Sequence, residues 1–316
     1  MNVPFSALCD QNGIFLRREA LAVGFDDRAI ANAVRTKLIH RVRHGAYVMW
    51  RHWEELSEKG RHLTRAAAIL RTTKTKVALS HVTALACYDA PLWDLPLGDV
   101  HLTRLDRRIG RREAGVAQHC GVLPPEDVAK RNSQLVTCAT RTALDLTTIT
   151  DVEHALPAID HLLHTGETDI DSLRKKAKAM VHAPGSLSTD LVLRLTDGRH
   201  ESVGESRSGY MFWRGGLPKP QPQYKILDYR GEILARVDFA WPEYGVFLEF
   251  DGKEKYVKYR KEGESVVDAV LREKKREELI CRITGWRCIR IAWADLYTPE
   301  VTVARIRAVL AGGPVH

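Results

Sequence analysis

An apolar run that contains two acids, residues 245–252 (GVFLEFDG), constrains the fold of this chain more than any other segment. Successive side chains of a β-strand point to opposite faces of the sheet. The run therefore predicts a strand with three apolar residues on one face and with Phe247, Glu249 and Asp251 on the other. Because an ionised carboxylate in apolar surroundings is costly unless a cation neutralises it, the acids on this face indicate a binding site.

A third acid, Asp238, lies inside the preceding apolar run, RVDFAW. We expect this run to form the neighbouring strand, so that Asp238, Glu249 and Asp251 converge on one hard divalent cation. Carboxylate oxygens suit Mg²⁺ or Mn²⁺ and not zinc. The alternative is that the acids lie at strand ends and face water, with Asp251 and Gly252 forming only a turn.

The pattern of residues 200–316 predicts a mixed sheet flanked by helices. A first helix is followed by three strands, a charged helix over residues 265–282, a last strand and a terminal helix. Upstream, the segment HAPGSLSTD at 182–190 predicts a domain boundary, since Pro, Gly and Ser interrupt the helical pattern. The predicted fold class is α/β (α+β), with domains at residues 1–50, 51–183 (mixed) and 184–316.

The first 50 residues predict a DNA-binding module. Three short helices, at 5–11, 17–23 and 27–37, precede an alternating segment, LIHRVRHGAYVM, that turns at its His-Gly pair. This is the order of a winged helix, whose third helix enters the major groove while the wing touches the backbone. The candidate DNA contacts are Arg28, Arg35, Lys37, Arg41 and Arg43. The alternative is that these charges only face solvent.

The composition agrees with a nucleic-acid partner. The 316-residue chain has 48 Lys and Arg against 40 Asp and Glu, a formal net charge of +8. A basic balance suits DNA because each phosphate contact releases counterions. The six cysteines form no CxxC pair, the start MNVPFSALCD is not typical of a signal peptide, and no apolar run approaches the span of a bilayer. We therefore expect a cytoplasmic protein without a membrane partner.

The run from Gly13 to Val48 resembles the winged helix of AbiEi-family antitoxins and regulators. The likeness continues through ALSHVTALACYDAPLW (78–93), VHLTRLDRR (100–108) and TCATRTALDL (137–146), and covers about residues 5–180. It implies DNA binding, a regulatory or antitoxin role and a cognate nucleotidyltransferase toxin as partner. In the last segment Arg141 and Asp145 stand one helical turn apart, which predicts an ion pair on a helix surface.

Residues 201–297 resemble the PD-(D/E)XK nuclease superfamily, and most closely its Vsr-like branch. The likeness rests on three ordered segments, GESRSGYMFWRGGLPKPQPQ (204–223), RVDFAWPEYGVFLEFDGKEKY (236–256) and EKKREELICRITGWRCIRIAWADL (273–296). It implies a restriction-endonuclease-like mixed sheet and hydrolysis of DNA phosphodiesters. It also implies that Asp238 and Glu249 are the first and second metal-binding acids, and that Glu205 is the additional acid of the metal shell.

One position departs from the superfamily. Its usual lysine falls at position 251, where this chain has Asp251. Two lysines can take its place: Lys253, if the strand continues past Gly252, and Lys274, which helical spacing predicts to point inward. The alternative for both is a solvated lysine.

These residues predict a Mg²⁺-dependent deoxyribonuclease. The metal held by Asp238, Glu249 and Asp251 would lower the pKa of a bound water and stabilise charge on the phosphate, while Arg207 and Lys255 grip neighbouring phosphates. A defence or repair role would follow. The alternative is an AbiEi-type antitoxin or transcriptional regulator whose nuclease-like domain is catalytically inactive. The intact acids favour the enzyme, and Asp251 favours the regulator.

Overall fold

The structure is a computed structural model that describes residues 3–106, 108, 110, 112–180, 186–252 and 266–314. The chain forms two compact units. Unit 1 comprises Met1–Thr150 and Asp171–Ser186, and unit 2 comprises Asp151–Ile170 and Leu187–His316. The chain thus enters unit 2, returns to unit 1 and leaves it again close to the boundary predicted at 182–190.

Unit 1 begins with a winged helix. Its elements are a 3-10 helix (Phe5–Leu8), β1 (Ile14–Leu16), α1 (Arg17–Ala22), α2 (Asp27–Arg35), β2 (Ile39–Arg43) and β3 (Ala46–Met49). The strands form a sheet in the order β1-β3-β2. The second and third predicted helices and the wing are confirmed. The predicted first helix is wrong: it is one 3-10 turn, and the strand after it escaped prediction because all three of its residues are buried and show no alternation.

Helix α2 is positioned by a side-chain cap at its start and by buried residues on one face. The side chain of Asp26 caps its start by accepting a hydrogen bond from the backbone N–H of Ala29 at 2.7 Å. Ile30 and Ala33 lie on its inner face and are buried against a core that includes Phe15 and Tyr47. The opposite face of α2 is therefore left towards solvent.

A long helix anchors the winged helix within unit 1. Helix α3 (Trp50–Glu55) is followed by α4 (Glu58–Thr72). From α4, Arg71 donates to the Asp10 carboxylate at 3.0 Å and to the carbonyl oxygen of Ile14 at 2.6 Å, and it also pairs with Glu19. One guanidinium thus joins the strand and helix that precede α2 to the rest of the unit.

The remainder of unit 1 is a six-stranded mixed sheet with helices. Its elements are β4 (Val77–Leu79), α5 (His81–Cys87), β5 (Val100–Arg104), β6 (Arg112–Glu113), β7 (Val116–His119), β8 (Val128–Arg131), β9 (Gln134–Thr137), α6 (Ala139–Thr147) and, after one helix of unit 2, α8 (Ile170–Ala179). The strand order is β6-β7-β5-β4-β9-β8.

The ion pair predicted on α6 is confirmed, but its predicted surface position is wrong. Arg141 Nε donates to Asp145 at 2.7 Å, and its Nη1 lies 3.2 Å from Asp127. Both carboxylates are buried, since α6 is covered on nearly all sides, and Lys176 of α8 also contacts Asp127.

Unit 2 has the predicted mixed sheet between helices. Its elements are α7 (Val152–His164), α9 (Thr189–Leu195), α10 (Val203–Arg214), β10 (Gln221–Leu227), β11 (Ile233–Trp241), β12 (Val246–Asp251), α11 (Val266–Thr284), β13 (Arg287–Ala292) and α12 (Pro299–Leu310). Strands β10, β11 and β12 are antiparallel, and β13 runs parallel to β12. The mixed α/β fold class is confirmed.

The two faces of β12 are covered as its alternation predicts. Leu248 and Phe250 pack into one core with Phe212 and Ile306, whereas Phe247 packs into the other with Ile280. Glu249 and Asp251 therefore belong to the face that α11 covers. Within the described residues, every helix is too short or too polar to cross a membrane.

Candidate functional site

The exposed face of α2 consists of small and hydrogen-bonding side chains. Arg28, Ala31, Asn32 and Arg35 are all exposed at helical spacing, and we call them the α2 outer face. Arg35 Nη2 donates to Asn32 Oδ1 at 2.7 Å. The small side chain of Ala31 lets the helix backbone come close to whatever binds there.

The wing adds cations beside this helix. Arg41 is exposed on β2, Arg43 is half-buried at the strand end, and burial lowers the pKa of the Arg43 guanidinium. Lys37 is exposed directly after α2, with its Nζ 5.1 Å from the centre of the Trp50 ring. The five DNA contacts predicted within the first 50 residues thus lie on α2, the wing or the segment between them.

Glu205 lies near the start of α10 and is buried, with 2% of its surface exposed. It accepts hydrogen bonds from Ser202 Oγ at 2.7 Å and from the backbone N–H of Glu201 at 3.0 Å, while Ser202 Oγ accepts from the backbone N–H of Glu205. Gln223 Nε2 also donates to it at 2.7 Å. Ser202 therefore caps the start of α10, and the Glu205 carboxylate is held by the segment before the helix and by Gln223.

The other three acids lie on β11 and β12. Asp238 and Glu249 are each 7% exposed, whereas Asp251 is half-buried. The β11–β12 pairing ends at Phe239, and beyond it Asp238 Oδ2 accepts from the backbone N–H of Phe250 at 2.8 Å. Asp238 thus replaces a backbone acceptor where the two strands part.

Two arginines reach the acids on β12. Arg276 of α11 donates to Glu249 Oε1 at 2.7 Å. Arg290 of β13 donates to Asp251 at 2.8 Å and to Glu277 at 2.6 Å. In these charge-assisted contacts, arginine supplies the positive charge that was expected, from the sequence, to come from a metal ion.

The four acids carry one clear electrostatic signature. Burial raises the pKa of the Glu205 carboxyl, and the nearby negative charge of Asp238 raises it further. Even so, none of the four belongs, among the described residues, to a group of three potential metal ligands whose atoms lie within 4.8 Å of one another. In this arrangement arginine nitrogens contact Glu249 and Asp251, and metal binding by these acids stays a prediction.

The remaining predicted site residues fall in different places. Arg207 is buried, with its Nη2 2.8 Å from Glu153 and its guanidinium 5.2 Å from the Tyr297 ring, so it does not lie at the surface where a phosphate contact was predicted. Lys274 is exposed on α11, and its predicted inward position is wrong. Lys253 and Lys255 lie outside the described residues.

Several site residues were not predicted. Asn32 and Ala31 could have been found from their helical spacing with Arg28. Arg276 and Arg290 had no comparable signal, because a sequence pattern does not tell which side chain of a later element will cross to an acid.

The amino-terminal part of the chain is similar to a known family. Residues 7–49 match a family model described as "Transcriptional regulator, AbiEi antitoxin". Residues 7–49 are therefore similar to the regulator domain of this family. The match spans the winged helix from the 3-10 helix to the end of β3.

Two curated relatives come from Mycobacterium tuberculosis. They are the uncharacterized proteins MT2308 of strain CDC 1551 and Rv2248 of strain H37Rv. Each is 26% identical to this chain over 159 residues, which cover 46% of this chain and 58% of the relative. The chain thus spans little more than half the length of these relatives.

Proposed function

We propose that this chain is a DNA-binding regulator of the AbiEi-antitoxin type, which reads base edges with the α2 outer face. The observation that carries the proposal is that face itself: Arg28, Asn32 and Arg35 project from the exposed side of the third helix of a winged helix. The major groove is about 12 Å wide and admits an α-helix. Arginine recognises guanine and asparagine recognises adenine through paired hydrogen bonds.

The wing supplies the contacts that position the helix. Arg41 and Arg43 lie on a hairpin strand, where phosphate contacts fix the register of the protein without reading sequence. Arg17 pairs with Asp27 at 2.5 Å and so ties the start of α1 to the start of α2. This contact favours one orientation of the reading helix.

Fluorescence anisotropy with the DNA upstream of the chain's own coding sequence tests the proposal. We expect Arg28→Ala and Asn32→Ala each to weaken binding to the preferred site by about 1–3 kcal/mol and to reduce discrimination against a scrambled duplex. Arg199→Ala is the matched control, because it removes one exposed arginine of unit 2. Equal weakening by the control, or unchanged discrimination in both α2 variants, contradicts base reading by α2.

The antitoxin part of the proposal implies a protein partner. The family match supports a cognate toxin, and the partner class we propose is a nucleotidyltransferase encoded beside this chain. Co-expression of the neighbouring nucleotidyltransferase with the full chain should restore growth that the toxin alone arrests. Arrest that persists when the chain is present at equal level would leave a regulator without an antitoxin role.

DNA hydrolysis is a second candidate function, which the burial of Glu205, Asp238 and Glu249 around one sheet favours. It requires Arg276 to leave Glu249. Incubation of supercoiled plasmid with the protein and Mg²⁺, with and without EDTA, tests it directly. Nicking that needs Mg²⁺ and disappears in Glu249→Gln supports hydrolysis, whereas intact plasmid together with normal DNA binding supports the regulator alone.

A further inference from the structure

Three histidines of unit 1 converge outside both sites described above. His81 begins α5, His101 lies on β5 and His119 ends β7. Each offers one ring nitrogen, and these three atoms all lie within 4.8 Å of one another. His101 Nδ1 and His119 Nε2 are 2.9 Å apart, and the His81 and His119 rings stack with their centres 3.6 Å apart.

The sheet explains why these residues meet. β5 pairs in parallel with β7, and Thr103 stands opposite His119, so that His101, Thr103 and His119 share one face. β4 lies on the other side of β5, and the backbone N–H of Ser80, just after β4, donates to the carbonyl oxygen of His101 at 3.0 Å. The next residue, His81, therefore enters beside the other two rings.

We propose that His81, His101 and His119 form a binding site for one divalent transition-metal ion of borderline softness, such as Zn²⁺, with a fourth coordination position left to water. Three imidazoles are a ligand set that suits Zn²⁺, Cu²⁺, Ni²⁺ or Co²⁺ and does not suit Mg²⁺ or Ca²⁺. Two nitrogens bound to one tetrahedral ion at about 2.0–2.1 Å lie roughly 3.3 Å apart. The 2.9 Å between His101 and His119 therefore needs only a small adjustment.

Two neighbouring hydroxyl groups support a metal site. Ser80 Oγ lies 2.9 Å from His81 Nδ1, so it can accept a hydrogen bond from Nδ1–H and leave Nε2 as the ligand atom. Thr103 is 1% exposed, and its Oγ1 has no hydrogen-bond partner among the described residues. Because Thr103 shares the face of His101 and His119, this hydroxyl is placed to bond a water on the ion. A buried hydroxyl otherwise finds a partner within the protein.

The test uses the full chain, dialysed against EDTA, freed of chelator and then titrated with Co²⁺. We expect one equivalent to bind with the strong visible absorption of a four-coordinate site, and Zn²⁺ to displace it. His101→Gln should lose this equivalent, and Ser80→Ala should weaken Zn²⁺ binding roughly 10- to 100-fold. His44→Gln, an exposed histidine of the wing, is the control and should bind as the parent does.

No saturable equivalent in the parent chain, or unchanged Co²⁺ binding in His101→Gln, overturns the site. If His101→Gln fails to fold by circular dichroism, X-ray absorption of the Zn²⁺-loaded parent decides. Nitrogen ligands at about 2.0–2.1 Å support the three-histidine site, and a sulfur ligand overturns it.

Discussion

His200 is a buried residue whose charge is held by its neighbours. Its Nδ1 lies 2.8 Å from Asp160 in unit 2, and its side chain is 6% exposed. Burial alone would lower the pKa of His200, but the hydrogen bond and charge of Asp160, together with the charges of Asp197 and Glu205, outweigh burial and raise it. His200 therefore keeps its positive charge to a higher pH in the folded protein than a free histidine does.

This raised pKa predicts a stability that depends on pH. A group whose pKa is higher in the folded than in the unfolded state stabilises the fold fully below the unfolded value, about 6.5, and loses that contribution as pH rises through the folded value. We expect the free energy of unfolding to fall as the pH rises over this range.

Urea unfolding followed by circular dichroism at a series of pH values measures the effect. His200→Gln, which cannot carry the charge, should remove this part of the pH dependence, and His44→Gln should retain it. A parent chain whose unfolding free energy rises above pH 6.5, or a His200→Gln chain with the parent's profile, contradicts the assignment.

At the scale of elements, a buried cluster of charges around Arg141 joins three segments of unit 1. Arg141 pairs with Asp145 within α6 and with Asp127 on the turn before β8, and Lys176 of α8 contacts Asp127 as well. Both carboxylates are almost fully buried. Loss of the guanidinium leaves buried negative charge with too little compensation.

We expect Arg141→Ala to lower the free energy of unfolding by about 3–5 kcal/mol. Chemical denaturation of the full chain measures this loss. The control is Arg51→Ala, which breaks an exposed pair with Glu55 and should cost less than about 1 kcal/mol. Equal small losses in both variants would show that the buried cluster does not stabilise unit 1.

The elements of unit 2 could be predicted because their patterns are long and regular. β12 alternates over six residues, and α11 is charged over 19. The short strands of unit 1 could not be predicted in this way. β4 has three residues, all buried, and β6 has two, both exposed, so neither shows a period.

Among the candidate site residues, sequence periodicity placed those that share a face of one element, but it did not predict contacts between elements. Alternation placed Glu249 on the face opposite Leu248, and helical spacing placed Arg28 and Arg35 together on the outside of α2. Neither pattern contains the contact of Glu249 with Arg276, because that contact depends on how α11 packs on the sheet. The three histidines were missed for the same reason: 18 residues separate even His101 from His119, and only the pairing of β5 with β7 unites them.

At the scale of the whole molecule, the positions of the arginines predict DNA binding better than the net charge of +8 does. Arg141 and Arg207 are engaged in ion pairs inside their units, and Arg290 is half-buried between two acids. Arg28 and Arg41 of the winged helix, in contrast, make no side-chain hydrogen bond or ion pair within the described residues. The number of phosphates contacted should therefore be set by the winged helix and not by the total charge.

The salt dependence of DNA binding tests this distinction. The logarithm of the association constant falls linearly with the logarithm of salt concentration, with a slope of about 0.9 per phosphate neutralised. Arg41→Ala should weaken binding to all sequences alike and reduce the slope by about 1, because it removes one phosphate contact.

Arg199→Ala lowers the net charge by the same amount but should leave the slope unchanged, since Arg199 is paired with Asp197 in unit 2. Anisotropy titrations of both variants at several salt concentrations measure the slopes. If both variants reduce the slope equally, overall charge attracts the DNA and the wing has no special part in binding.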